Sequence, residues 1–416
     1  MSIRNVLLCA CIWLVTGATA LAEPIRLGLN YPQTGRYKDQ GLQQRLGAFL
    51  AVDEINKAGG VMGRPLELVI RNTRGEPEQG AENTAELIDQ EGVDMVFGGA
   101  SSSVVIASGK VARDRDRVYF GTLTYSNATT GSEGHRHMFR EPYNAWMSAK
   151  ALSRYLQRQH ANDRYFYITA DYTWGWSTEE SMRNFSNTAD TQVHPGVHTP
   201  FPRARITDYR AALEQAAASD AEVLMLVLFG DDMVRALNIA YEMGLTERMQ
   251  VVVPGLTLGM VRQVGPTIMQ GVIGAAPWVW NLPYERGYPR GQAFVDAFSE
   301  RYEMRPSSVA ASSYSTVYQY KEAVERAGTT RTSSVIEELE GHRYSFLKDE
   351  QEWREFDHQN VQTVYVVKVK ERELVMEDEY SSDYFHIVDS MPGEQAAQTR
   401  EEWELRRKGA GKLTSL

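Results

Sequence analysis

From Ile25 onward the apolar positions alternate between two textures, short continuous runs and longer stretches with an apolar residue every third or fourth position. The first texture marks buried strands and the second marks helices with one face turned to a core. Ile25 to Leu29, Leu66 to Ile70, Met95 to Phe97 and Val118 to Phe120 read as strands. Leu42, Leu46, Phe49, Leu50 and Ile55 form a helical stripe that Gly59-Gly60 stops. Helices are expected over 78–90 and 104–113. After Pro142 the pattern restarts with a helix over 146–159, strand 165–169, helix 178–187 and a strand near 192–199. Helix 208–218, strand 223–228, helix 233–243 and strands 250–253 and 272–276 follow. Strand and helix in steady alternation predict an α/β fold of two doubly wound parallel-sheet lobes, with no Gly- or Ser-rich linker between them. Helices near 292–302 and 314–327, then a hairpin of 362–369 with 373–376, complete the folded part. The charged segment beyond, 386–416, is expected to be a solvated tail.

The start of the chain has a different character. Arg4, the apolar run Val6 to Val15 and Ala20-Leu21-Ala22 before Glu23 have the layout of a secretory signal cleaved after residue 22. The apolar run is too short to span a bilayer, and no stretch of about 20 apolar residues appears later. Leu8-Cys9-Ala10-Cys11 is faintly lipoprotein-like, yet the apolar run continues past Cys11. The two cysteines of the chain both fall in this leader, so the exported protein is expected to carry no disulfide, thiol catalyst or cysteine-bound zinc. With 416 residues it has ample length to reach stability through core burial alone. The formal net charge of −10 disfavours nucleic acid and anionic membrane as partners.

Several blocks are more specific. Pro32-Gln-Thr-Gly-Arg-Tyr37, Gly41 and the run Gly47-Ala48 through Asp53, Asn56, Gly59-Gly60, Gly63-Arg64-Pro65 resemble the periplasmic substrate-binding proteins of branched-chain amino-acid-type ABC transporters. Gly98-Gly99-Ala100-Ser101-Ser102-Ser103, Asp171-Tyr172-Thr173-Trp174-Gly175 and Asp357-His358-Gln359 continue the resemblance, which covers most of residues 24–376. It implies a type I periplasmic binding protein, its two lobes joined by three crossovers that we place near Glu141, Pro277 and Ser345. The lobes are then 23–141 with 277–344, and 142–276 with 345–385. A monomer with no cofactor is expected, in the periplasm, with a small-molecule ligand and the permease of an inner-membrane ABC transporter as its partners.

Loops at the carboxyl ends of strands in such sheets are where ligands are met. Ser101 follows a strand and opens a helix, offering a hydroxyl and free N–H groups to an anion, or simply capping that helix. By resemblance, Ser101 stands where relatives hold a ligand carboxylate, and Thr124 and Ser126 where they hold carboxylate and amino groups, with Tyr125 between them. Trp174 and Phe229 occupy aromatic wall positions, Tyr37 joins the candidates from the first block, and Asp171 and Asp231, with Asp232 beside it, lie on the same rims. One departure stands out. Where amino-acid-binding relatives carry a glutamate for the ligand ammonium, this chain reads Val253-Pro254-Gly255-Leu256-Thr257. An unpaired ammonium in a closed cleft is costly, so either a rim aspartate substitutes or the ligand is not an amino acid.

Enzymatic readings have less support. His194-Pro-Gly-Val-His198 has metal-like spacing, but Pro195 and Gly196 prevent the helix that would align both imidazoles, and His135 and His137 lack further ligands. No nucleophile elbow, phosphate-binding loop or dinucleotide fingerprint occurs. The sequence therefore predicts a non-enzymatic solute-binding protein for an amino acid, amide or small carboxylate, with a ligand-sensing receptor subunit and a secreted α/β hydrolase as alternatives.

Overall fold

The computed structural model describes residues 23–416, so the expected leader over 1–22 lies outside the described residues. The first sheet contains β1 (Ile25–Tyr31), β2 (Leu66–Asn72), β3 (Met95–Gly98), β4 (Val118–Gly121) and β5 (Met138–Arg140), all parallel, in the order β2-β1-β3-β4-β5. Its crossover helices are α1 (Lys38–Lys57), α2 (Pro77–Asp89) and α3 (Ser102–Asp114). The second sheet repeats that winding with β6 (Tyr165–Ala170), β7 (Gly196–Thr199), β8 (Val223–Val227), β9 (Gln250–Val253) and β10 (Ile273–Ala276), ordered β7-β6-β8-β9-β10. Helices α4 (Ala145–Leu156), α5 (Thr173–Ser186), α6 (Ile206–Ala218) and α7 (Asp231–Glu242) belong to this half. In each sheet the strand order reverses beside the first strand, between β1 and β3 and again between β6 and β8. Such a switch point leaves a crevice outside the strand ends, where ligands bind in doubly wound folds.

The chain returns to the first half through the helices Pro289–Tyr302 and Ser308–Ala327. The second of these packs directly on α1. A Cβ at Gly47 would come within 2.2 Å of the Ala310 carbonyl oxygen, so only glycine permits this close approach. A small antiparallel sheet follows, made of β11 (Arg343–Ser345), β12 (Glu350–Trp353) and β13 (Asn360–Val361). Trp353 sets its edge against Phe120 and Phe139, at centroid distances of 5.5 and 5.7 Å. The His358 ring stacks on Phe139, and Gln359 bridges to Arg140 on β5. These contacts bind β11 to β13 to the first lobe. The chain then passes from β13 to β14 (Val364–Val369) in the second sheet.

Two expectations are corrected. The predicted partner strand 373–376 is a helical turn, Arg372–Val375, with Val375 buried. The antiparallel partner of β14 is β15 (Phe385–Met391), at the edge of the second sheet, whose order is β15-β14-β10-β9-β8-β6-β7. Nor is 386–416 a solvated tail. The helix Arg400–Gly409 starts with a Thr399/Glu402 capping box and buries Trp403, whose Nε1 donates to the Thr130 carbonyl at 2.8 Å. Arg407 donates to the Gly134 carbonyl at 3.2 Å, while Arg406 reaches Glu180 on α5 at 3.3 Å and lies over the Trp146 ring on α4. One indole and two arginines thus strap the loop after β4 to two helices of the other lobe. Charge-rich composition concealed this because a single apolar anchor carries the packing.

Removing that anchor gives a direct test. Trp403→Ala loses a fully buried indole, which costs about 3 to 5 kcal/mol in a packed core, and urea unfolding should show a correspondingly lower midpoint. An unchanged midpoint would mean a free tail after all. Acid provides a second test. Burial pushes Glu340 upward, but bonds from His358 Nε2 at 3.1 Å and Arg136 Nε at 3.0 Å outweigh it and hold its pKa at about 2 against an ordinary 4.5. A depressed carboxylate stabilises the fold above its unfolded pKa and loses that contribution as pH falls through its folded one. Stability should therefore fall between pH 4.5 and 2, and more shallowly in Glu340→Gln, as followed by urea midpoints across that range.

Candidate ligand-binding cleft

The switch-point loops of the two sheets meet face to face. From the first lobe come Tyr37 after β1, Ser101 and Ser102 after β3, and Leu123, Thr124 and Tyr125 after β4. From the second come Tyr172 and Trp174 after β6 and Phe229 after β8. These nine residues line one narrow void between the lobes. Gly175 makes the turn after β6 possible, because a Cβ there would sit 1.9 Å from the Ala170 carbonyl oxygen.

Ser101 is the N-cap of α3 and accepts from Val104 N at 3.4 Å, with a φ of +76°. That left-handed backbone is unusual for serine, and Ser101 and Ser102 at the start of α3 both line the void. Thr124 lines the void, but its hydroxyl is already engaged, 3.1 Å from Ser102 Oγ and 2.7 Å from Thr129 Oγ1. Ser126 does not line it. Its hydroxyl instead spans the two lobes, 2.9 Å from Thr173 Oγ1 and 3.0 Å from Ser177 Oγ, both on α5.

Phe229 is the centre of the aromatic wall. Its ring centroid lies 6.1 Å from Tyr37, 5.9 Å from Tyr125 and 5.9 Å from Trp174, so one ring from the second lobe contacts two from the first. Tyr172 stacks on Phe201 at 3.8 Å. Burial pushes the phenols of Tyr37 and Tyr125 upward, with nearby Asp232 and Glu141 respectively adding to it, so both stay neutral donors.

None of the rim acids lines the void. The Asp171 side chain is 52% exposed, accepts from Trp176 Nε1 at 2.8 Å and faces His198. Asp231 opens α7 near Arg235 and Lys38, its carboxyl shifted upward by partial burial. Asp232, buried, takes Arg36 Nη1 of the first lobe on both oxygens at 2.9 and 2.7 Å. Even so, burial outweighs Arg36 and the carboxyl is shifted upward. Glu141 is buried behind Tyr125, at the hinge, with the ammonium of Lys348 near it, and it lines a separate void with Pro277, Trp278 and Gln362. Arg36, Tyr172, Ser102 and Ser177 were not singled out by sequence. Arg36 was visible beside Tyr37, but its partner Asp232 lies 196 positions away. His194 and His198 also separate: His194 accepts from Tyr165 N at 3.1 Å, while His198 pairs with Glu179. Among the described residues no group of three metal-ligating side chains gathers, and no helix is long and apolar enough to cross a membrane.

The family model described as periplasmic binding protein matches residues 24–373. The chain belongs to the periplasmic binding protein family. A member from Pseudomonas aeruginosa, the leucine-, isoleucine-, valine-, threonine-, and alanine-binding protein, is 23% identical over 330 residues, covering 78% of this chain and 84% of its own. The crystal structure of a periplasmic binding protein from Burkholderia mallei superposes with a TM-score of 0.82 at 25% identity, covering 92% of this chain and 98% of that one. The branched-chain amino acid transporter substrate binding protein LivJ of Streptococcus pneumoniae, in complex with isoleucine, shares the fold with a TM-score of 0.73 at 21% identity, covering 84% and 97%. The two-lobe type I architecture is thus that of the family, and the family is one of substrate-binding proteins of ABC transporters, not of enzymes.

The cross-lobe ion pair yields a prediction. Arg36→Met leaves Asp232 without its partner, whereas Arg36→Met with Asp232→Asn removes both charges. The single variant should shift the lobes toward open in small-angle scattering, and the double variant should recover part of the compaction, with a coupling of roughly 0.5 to 3 kcal/mol. Equal compaction in all forms would show that the pair does not hold the lobes.

Proposed function

We propose that this chain is an exported solute-binding protein that encloses a small polar ligand between its lobes and delivers it to an inner-membrane ABC transporter. The observation that carries this reading is the meeting of both switch points across one void, with hydroxyls and a helix N-terminus on one side and aromatic walls on the other. Residues 1–22 act as the cleaved signal, and the mature chain starts near Glu23. Ser101 and the start of α3 receive a ligand oxygen, Thr124 with Ser102 shapes that subsite, and Tyr37, Tyr125, Trp174 and Phe229 enclose the remainder. Ser126 acts on closure through its bonds to α5. The three crossovers let the lobes move as rigid bodies, and a permease that prefers the closed form couples occupancy to transport. Family membership and the names of the relatives support this assignment.

The test combines location with mechanics. Cell fractionation should recover a chain starting near Glu23 from the periplasm, and inverted vesicles carrying the cognate permease should show ATP hydrolysis that rises with the liganded protein. A retained N-terminal leader, or a permease indifferent to the liganded form, would overturn the reading.

A further inference from the structure

Three stretches of backbone join the half built on the second sheet to the rest of the molecule: 141–144 between β5 and α4, 277–281 after β10, and 362–363 between β13 and β14. All three converge on one buried side chain. Lys348 lies in the turn between β11 and β12, and its Nζ donates to the Pro277 carbonyl and to Gln362 Oε1, both at 2.6 Å, and to the Thr363 carbonyl at 3.4 Å. The Gln362 amide carries the connection on to the first stretch, its Nε2 donating to the Glu141 carbonyl and, at 3.0 Å, to Asn360 Oδ1. Two more bonds complete the set. Gln359 Nε2 donates to the Pro142 carbonyl at 2.8 Å, and the Tyr143 hydroxyl donates to the Ala275 carbonyl at the end of β10 at 2.9 Å.

The chemistry of the ammonium suits such a place. It has three N–H donors on one atom, and here each meets a neutral oxygen of the connecting stretches and none a carboxylate. Of the two acids near it, Asp349 accepts from Thr363 Oγ1 at 2.6 Å, and the buried Glu141 carboxyl lines the same small void as Lys348. Burial pulls the ammonium down to about 8 while those two acids draw it back up, so it is charged at neutral pH. Moving one stretch away from the others strands a charged donor in a buried site, which is costly. Small rotations centred on Nζ keep the three bonds, whereas sliding or splaying of the stretches breaks at least one.

We propose that Lys348 is the positioning residue of the hinge: its ammonium pins the three connecting stretches at one point, so the lobes turn about a fixed pivot. Glu141 balances the charge across the void without setting the pivot. This step rests on the reading above that the lobes move as rigid bodies. It differs from the Arg36 and Asp232 contact, which acts only where the two rims meet.

Residues 23–416 contain no cysteine, so spin labels can be placed uniquely at Glu78→Cys on α2 and Glu214→Cys on α6, both exposed and on different lobes. Pulsed electron paramagnetic resonance on the mature protein then reads the distances between the lobes. The otherwise unaltered chain should give discrete distances, and Lys348→Met should replace them with a continuous spread. Gln362→Met, which cuts the link to Glu141, should do the same. Glu141→Gln keeps its backbone carbonyl and should leave the distances discrete. Lys348→Met alone leaves the Glu141 charge uncompensated and lowers stability, so the deciding form is Lys348→Met combined with Glu141→Gln. Its urea midpoint should recover toward that of the unaltered chain while the spread persists, a separation that a merely structural role would not produce. Discrete distances in that double variant, or a continuous spread already present in the unaltered chain, would overturn the proposal. A spread caused by Glu141→Gln alone would overturn it too, by making charge balance and not the bonds the source of the pivot. The solute-binding reading fails separately, in the ATP hydrolysis of the permease, whatever these distances show.

Discussion

Arg36 of one lobe lies on Asp232 of the other, and much of the cleft depends on that contact. It joins the loop after β1 to the start of α7 at a point where both charges are withdrawn from water. Such a pair contributes little net stability, because desolvation offsets the attraction, yet losing one partner strands the other. Its effect is one of register: it fixes which surfaces meet. It sets Tyr37 against Phe229, and Ser126 meets α5 at the same boundary. By occupying the one buried acid of the second lobe's rim, it also leaves the void without a negative group. The geometry of closure and the electrostatics of the site thus have a common origin.

The fold was legible because its signals are local and periodic. Most strands of the two sheets are short and largely apolar, and the helix after β1 carries an apolar stripe, so β1 to β4, β6 and β8 to β10 could be read directly from the sequence. The site was legible only in part. Ser101, Thr124, Tyr37, Tyr125, Trp174 and Phe229 stand at strand ends, and the chain does bring them around one void. Ser126, Asp171 and Asp231 stand at strand ends or helix starts too, but position along the chain does not say which way a side chain turns. Asp171 turns to Trp176 and Ser126 to the opposite lobe because partners distant in sequence claim them.

Errors gathered where a single residue carries long-range packing. Trp353 ties the small sheet to Phe120 and Phe139, and Trp403 ties the last helix to the loop after β4. Neither lies in an apolar run, so periodicity gave no sign of them. The result is a hinge region crossed three times and then strapped a fourth time by the C-terminal helix, which contacts the same 126–134 loop that carries Ser126. The C-terminal helix and the bonds from Ser126 to α5 therefore share one loop.

The central claim is that a solute sits between the two switch points and draws both lobes onto it. Hydrogen–deuterium exchange on the mature protein, with and without a solute shown to bind, measures this at the backbone. The account predicts that binding slows exchange together at the start of α3, in the loop after β4 and at the start of α5, on opposite lobes. Protection confined to one lobe, or located away from these three segments, would contradict it.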